Sequence, residues 1–293
     1  MHGGAGRADP AAAARTAEGL RAALAAGGDL LDAGGSALDA VVAAVRELER
    51  CEVFNAGRGG VLDRDGRVAL DAAVMEGGAR RAGGVVGVSR ILHPIEAALA
   101  VLKDGRHVLL AGEGAEGFAR SAGVTMVDPE FHVTDERRAQ LARALADRVH
   151  GGGTVGAVAR DARGHLAAAT STGGMVGRVP GRIADSGLPG LGTWAEDATC
   201  AVSATGYGDF FIRAGFARDV AARMRYAGRD LGTACAGALA EVAALGGSGG
   251  CIAIDAHGPP ALHFDTPDMP RGVRIGREHP QIALRGHEPL TRY

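Results

Sequence analysis

A chain of 293 residues, 46% hydrophobic and 23% charged, holds enough apolar material for a sizeable core in one large domain or two small ones. Its formal net charge of −2, with 32 Lys and Arg interleaved among 34 Asp and Glu, supplies no basic field for nucleic acid. No apolar run approaches the ~18 residues of a membrane span, and MHGGAGRADP lacks the basic-then-apolar order of an export signal, so the expected location is cytoplasmic.

Asp9-Pro10 reads as an N-cap with proline at the first helical position, opening a helix that stops at Gly27-Gly28. Ser36 opens a second helix, in which Leu38, Val41, Val42, Val45 and Leu48 form one apolar face as far as about Arg50. GVLDRDGRVALDAAV turns at Asp65-Gly66 as a hairpin, and GGVVGVS is a short apolar strand. Helices follow near 95–103 and 134–149, separated by HVLLAGEGAEGFARSAGVTMVD. TVGAVARD and HLAAATST make a hairpin about Asp161-Ala162-Arg163-Gly164. TCAVSATG is a strand, 210–226 and 230–245 are helices, and CIAIDAHGPPALHFD is a third hairpin. Hairpins impose antiparallel pairing, which excludes a doubly wound parallel sheet. There is no internal repeat, and 134–153 is the only candidate joint.

Several motifs are decoys. Gly112, Gly114 and Gly117 have G-x-G-x-x-G spacing after an apolar segment, but Glu113 and Glu116 would place carboxylates where a pyrophosphate should sit. Ser248 in GGSGG matches G-x-S-x-G, yet a helix precedes it and a strand follows, the reverse of a nucleophile elbow. The histidines show no metal-ligand spacing, and His2 and His150, beside glycines, read as turn residues. Cys51, Cys200, Cys235 and Cys251 form no C-x-x-C pair and suit reduced packing thiols.

Thr154 survives this weeding on geometry. With the 161–164 turn centred between Ala162 and Arg163, or one position on, facing residue numbers sum to about 325 or 326, which sets Thr154 opposite Ser171 or Thr172. Hydroxyls then gather at the open end of one hairpin, beside glycines that admit a close neighbour; β-branched threonines also suit strands for packing alone. Arg182 and Asp185 in GRIADSGLPGLG are either a solvated pair or opposite charges presented to a zwitterion. At Thr205-Gly206 a hydroxyl and a main-chain N–H either face a developing oxyanion or simply make a turn.

Together the segments HGGAG (2–6), FNAGRGGVLDRDGRVALDAAVMEG (54–77), GTVGAVARD (153–161), AAATSTGG (167–174), GRIADS (181–186), SATGYGDFFIR (203–213) and GGSGGCIAID (246–255) resemble the plant-type L-asparaginase and isoaspartyl peptidase family, in order and over nearly the whole chain. The resemblance implies an N-terminal nucleophile hydrolase: an α+β, four-layer αββα sandwich of two stacked antiparallel sheets flanked by helices, forming a single domain over 1–293. It implies self-cleavage between Gly153 and Thr154 into an α subunit of 1–153 and a β subunit of 154–293. Cleavage turns the Thr154 amide into an α-amino group with a pKa of about 7.7–8, so one residue supplies nucleophile and base.

By the same resemblance Thr172 orients Thr154, and Asn55 helps to position it. Thr205 and the Gly206 N–H form the oxyanion hole. Arg182 holds the substrate α-carboxylate and Asp185 its α-ammonium, with Gly208 in the same substrate site. LERCEVFNAGR is similar to a loop whose carbonyls, here those of Leu48, Glu49, Cys51, Phe54, Ala56 and Arg58, bind a structural sodium ion; no organic cofactor is implied. The implied substrates are L-asparagine and β-aspartyl dipeptides, and the implied assembly is a dimer of αβ heterodimers. TSTGG rather than TSTNG favours this activity over a glycosylasparaginase-like one. Members of the family normally carry an apolar strand before HGGAG, where Met1 stands here, so that strand is either missing or lies upstream of the given start, which bears on both stability and maturation. The competing expectation is an unprocessed, noncatalytic aspartate-binding homologue; a dinucleotide oxidoreductase ranks third.

Overall fold

The computed structural model describes residues 1–147, 151–286 and 288–292. Asp9 accepts from the Ala11 N–H at the start of a short 3-10 turn that runs into α1 (Ala13–Asp32), and Ser36 accepts from the Asp39 N–H ahead of α2 (Ala37–Arg50). α1 does not stop at Gly27-Gly28. A Cβ on Gly27 would lie 2.9 Å from the Ala40 carbonyl oxygen, so this glycine lets α1 close onto α2 rather than ending the helix.

The chain continues through β1 (Leu70–Glu76), β2 (Ala82–Val88), α3 (Pro94–Asp104), β3 (Leu109–Ala111), α4 (Gly112–Ser121), α5 (Asp135–Asp147), β4 (Val155–Arg160) and β5 (Leu166–Thr172). Then come β6 (Thr193–Ala195), β7 (Cys200–Gly206), α6 (Gly208–Ala214), α7 (Phe216–Ala227), α8 (Leu231–Ala244), β8 (Gly249–Asp255), β9 (Ala261–Phe264), β10 (Arg271–Val273), β11 (Gln281–Ala283) and β12 (Thr291–Arg292). The last residues of the helix read over 134–149, and His150, lie outside the described residues. The helix read over 210–226 is two. Gly215, at φ 61°, breaks it and brings the Phe211 and Phe216 rings edge to face at 4.8 Å.

Strands β3-β2-β1-β5-β4 form one sheet, β6-β7-β8-β9 a second, and β10-β11-β12 a short ribbon. Every named strand pair is antiparallel except β2 with β3, which the α3 crossover makes parallel. β4 and β5 face β7 and β8; α2 and α3 cover the outside of the first sheet, and α7 and α8 that of the second. This is the layered α+β arrangement that the resemblance implied. No helix among the described residues is long and apolar enough to cross a membrane.

Met1–Gly3 lies between β4 and β10. His2 is bridged to both Gly156 and Arg271, and an apolar groove of about 530 Å³ continues that line between 157–162 and 272–276. His2 is not a turn residue: it is fully buried, because the hydrogen bonds to Gly156 hold it against β4.

Candidate active site

Gly112, Gly114 and Gly117 lie within α4, and the buried Glu116 carboxylate is engaged by the Ser89 and Arg90 N–H groups at 2.7 and 3.0 Å. Ser248 sits in the turn between α8 and β8, where its carbonyl accepts from the Tyr207 N–H. Cys51, Cys200, Cys235 and Cys251 are free thiols.

In the β4–β5 hairpin Val155 pairs with Ser171 and Arg160 with Leu166, so facing numbers sum to 326 and Thr154 stands opposite Thr172. Both are buried. Thr154 Oγ1 donates to Thr172 Oγ1 at 3.2 Å and lies 3.4 Å from Ser186 Oγ. Thr172 Oγ1 also accepts from the Gly174 N–H at 2.9 Å and donates to the Gly153 carbonyl at 2.8 Å. A hydroxyl has one proton and two lone pairs, so Thr172 is fully used.

Asn55 completes this arrangement. Its Nδ2 donates to the Gly153 and Gly174 carbonyls, both at 2.7 Å, and its Oδ1 accepts from the Val61 N–H at 2.8 Å. The glycine after Thr172 is a space requirement, since a Cβ on Gly173 would lie 2.5 Å from Asn55 Oδ1. Thr205 Oγ1 accepts from the Ala5 N–H at 3.0 Å, and a Cβ on the neighbouring Gly4 would lie 3.2 Å from Gly153 Cα. The HGGAG segment is thus laid between Thr205 and the Gly153-Thr154 bond.

Arg182 and Asp185 are not a solvated pair. Arg182 Nη2 donates instead to Asp209 Oδ2 at 2.6 Å, while Asp185 is buried with Oδ2 unpartnered. Burial pushes the Asp185 pKa up to about 7; the nearby Arg182 charge opposes the rise and the Asp209 charge adds to it. A Cβ on Gly208 would lie 2.3 Å from Asp185 Oδ1 and 3.0 Å from Arg182 Nη2, so all three residues converge on one small space.

In the LERCEVFNAGR loop the Leu48, Glu49 and Cys51 carbonyls accept from the Cys51, Arg58 and Phe54 N–H groups. Among the described residues the Phe54, Ala56 and Arg58 carbonyls accept no main-chain N–H, which leaves free oxygens of the kind that suits a hard cation.

Ser186, Asp209 and His2 join the site without having been singled out for it. Ser186 follows Asp185 in GRIADS and Asp209 follows Gly208, so both were adjacent to named residues. His2 carried no local signal, because its partner Ser203 is 201 positions away.

Comparison with known proteins gives the same picture. The family model described as Asparaginase matches residues 1–284. An isoaspartyl peptidase of Salmonella typhimurium is 48% identical over 303 residues, covering 97% of this chain and 97% of its own. An isoaspartyl peptidase of Escherichia coli is 47% identical, covering 97% of this chain and 94% of its own, and a plant-type L-asparaginase of Pyrobaculum calidifontis is 40% identical, covering 81% and 83%. The chain therefore belongs to the asparaginase family of plant-type L-asparaginases and isoaspartyl peptidases.

Proposed function

We propose that this protein is a self-processing hydrolase that converts L-asparagine to L-aspartate and ammonia and cleaves β-aspartyl dipeptides. The observation that carries the reading is the convergence of Asn55 Nδ2 and Thr172 Oγ1 on the Gly153 carbonyl, with the Thr154 hydroxyl bonded to Thr172.

Maturation runs as an N-to-O acyl shift. Thr154 Oγ1 adds to the Gly153 carbonyl carbon, and its proton passes to Thr172 while the Thr172 proton moves toward the carbonyl oxygen. Asn55 and Thr172 hold the negative charge that develops there. Collapse delivers the relayed proton to the Thr154 nitrogen, which leaves as an amine, and forms an ester, which water splits into a Gly153 carboxylate and a Thr154 bearing both free amine and free hydroxyl.

The same threonine then works on substrate. Its amine, a base once freed from the peptide bond, takes the hydroxyl proton as Oγ1 attacks the side-chain carbonyl, and returns it to the leaving ammonia or amine. Water releases L-aspartate from the acyl-enzyme. Thr205 accepts from Ala5, so its own proton is free for the oxyanion, beside the Gly206 N–H. Arg182 binds the α-carboxylate and Asp185 the α-ammonium; the absence of a Cβ at Gly208 leaves room for both.

A sodium ion held by carbonyls of Leu48, Glu49, Cys51, Phe54, Ala56 and Arg58 belongs to this proposal as a structural element that stiffens the loop carrying Asn55. So do a cytoplasmic location and a dimer of αβ heterodimers, the latter readable by light scattering. The activity is tested by ammonia and aspartate release from wild type and Thr154→Ala. Release by wild type alone is expected; equal release from both would overturn the reading.

A further inference from the structure

Asp71 is a buried carboxylate that the proposed mechanism does not use. It stands beside Thr172: β1 pairs with β5 at Asp71 and Thr172, and Thr154 flanks Thr172 on the other side, so Asp71, Thr172 and Thr154 form one row on one face of the first sheet. Against β2 the register slips between Leu70 and Ala72, so that Val86 and Gly87 together oppose Asp71 as a bulge. Gly87, at φ 65°, donates its N–H to Asp71 Oδ1 at 2.7 Å. The other oxygen, Oδ2, accepts from the Ala184 N–H at 2.8 Å, although the two residues are 113 positions apart.

Ala184 lies between the two charges of the proposed substrate clamp, Arg182 and Asp185, and is itself buried. The 3-10 turn that follows, Asp185–Gly187, is pressed onto β1 and β2. A Cβ on Gly187 would fall 2.5 Å from Val86 Cγ1 and 3.2 Å from Asp71 Cβ, and one on Gly84 would fall 2.7 Å from the Gly187 carbonyl oxygen. Two glycines and one carboxylate thus set how closely this segment approaches the sheet in which Thr172 stands. An ionised carboxylate carries acceptors on both oxygens and no donor, which suits two converging N–H groups. Burial pushes the Asp71 pKa up, while those two bonds and the charges of Arg178 and Arg182 oppose the rise.

We propose that Asp71 is a positioning residue for the substrate clamp: by holding the Ala184 N–H to the β1–β2 bulge it fixes Arg182 and Asp185 at a set distance from the row that contains Thr154 and Thr172. The proposal rests on the reading of Arg182 and Asp185 as the groups that bind the α-carboxylate and α-ammonium of L-asparagine. Asp71 touches no substrate in this scheme; it acts through the segment it holds. The Thr154–Thr172 bond and the Asn55 bond to Gly153 do not pass through that segment, so substrate binding should suffer from its release and self-cleavage should not.

The test follows self-cleavage on a denaturing gel, and kcat and KM for L-asparagine, in full-chain Asp71→Ala, Asp71→Asn, Gly187→Ala and Arg182→Lys. Asp71→Ala loses both acceptors and should raise KM by about tenfold or more, with a smaller effect on kcat and self-cleavage within about threefold of wild type. Asp71→Asn keeps one acceptor oxygen and should raise KM less. Gly187→Ala forces the same turn away from Val86 with the carboxylate intact, and should raise KM by about threefold or more. Wild-type KM in Asp71→Ala, a loss confined to kcat, or self-cleavage slowed as much as KM is raised would overturn the proposal. So would a lowered KM, which would make Asp71 an anion competing for Arg182 instead of a support for it. If Asp71→Ala does not fold, Asp71→Asn and Gly187→Ala decide, and wild-type KM in both overturns the proposal. Combining Asp71→Asn with Arg182→Lys gives a separate reading: the rise in KM should be smaller than the product of the two single rises, because both changes act on one contact, and a full product contradicts the proposal. Wild-type KM in Arg182→Lys counts instead against the clamp itself, whatever the Asp71 variants do.

Discussion

Asn55 Nδ2 lies 2.7 Å from the Gly153 carbonyl oxygen, although the two residues are 98 positions apart. That one bond ties the loop after α2 to the peptide that the proposed mechanism breaks. Removing a donor to a developing oxyanion costs about 10²–10³ in rate, so Asn55→Ala should slow conversion of the precursor by about that factor. A time course of the intact chain on a denaturing gel measures it; conversion at the wild-type rate would remove Asn55 from the mechanism.

Thr172→Val keeps shape and volume but deletes the hydroxyl that receives the Thr154 proton and donates to Gly153. It also leaves the buried Gly174 N–H without its acceptor, a cost of about 1–3 kcal/mol in stability. The expected result is a folded but uncleaved chain with a lowered Tm. A folded Thr172→Val chain that matures normally would contradict the relay.

Asp185 makes both binding and stability depend on pH. Its carboxyl is raised from 3.8 to about 7 by burial, so the empty site gains its anion, and its hold on an α-ammonium, only as pH rises through about 7. kcat/KM for L-asparagine should therefore climb with pH across that range. Stability runs the opposite way: with the folded pKa above the unfolded one, the favourable contribution is complete below 3.8 and is lost as pH rises to about 7. Above pH 7 Asp185→Asn should then be more stable than wild type by on the order of a few kcal/mol, while losing substrate affinity. Thermal melts at pH 5 and pH 8 check the sign, and a Tm gain confined to pH 5 would contradict it.

Arg182 and Asp209 should move KM in opposite directions. Arg182→Lys loses the fork geometry that matches a carboxylate and should raise KM by about tenfold or more, with a smaller effect on kcat. Asp209→Asn removes the carboxylate that now holds Arg182 Nη2 at 2.6 Å, and should lower KM by a few fold, roughly threefold, as a competing anion is withdrawn. Steady-state kinetics on both variants settle the matter; a raised KM in Asp209→Asn would mean that Asp209 holds Arg182 ready for substrate instead of competing for it.

What could be read without coordinates was local. The register of the 154–172 hairpin followed from one turn and the period of a strand, and it set Thr154 opposite Thr172. Caps at Asp9 and Ser36 likewise needed only a few neighbouring residues. Failures came where a distant partner decides. Gly27 looked like a helix stop because the α2 backbone it accommodates is elsewhere in the chain, and His2 looked like a turn because Ser203 and Gly156 are far off. β6, β10 and β11, at three residues each, are too short to show alternation. Asp209 carries no signal of its own, since an acidic residue at a helix start is ordinary; only the position of Arg182 gives it meaning.

The central claim is that Thr154 becomes the first residue of a new chain. Denaturing mass spectrometry of purified wild-type and Thr154→Ala protein after prolonged incubation tests it most directly. The account predicts pieces of 153 and 140 residues for wild type, the second beginning TVGAVAR, and a single 293-residue chain for the variant. An intact wild-type chain that nevertheless releases ammonia from L-asparagine, or an intact chain that releases none, would contradict it.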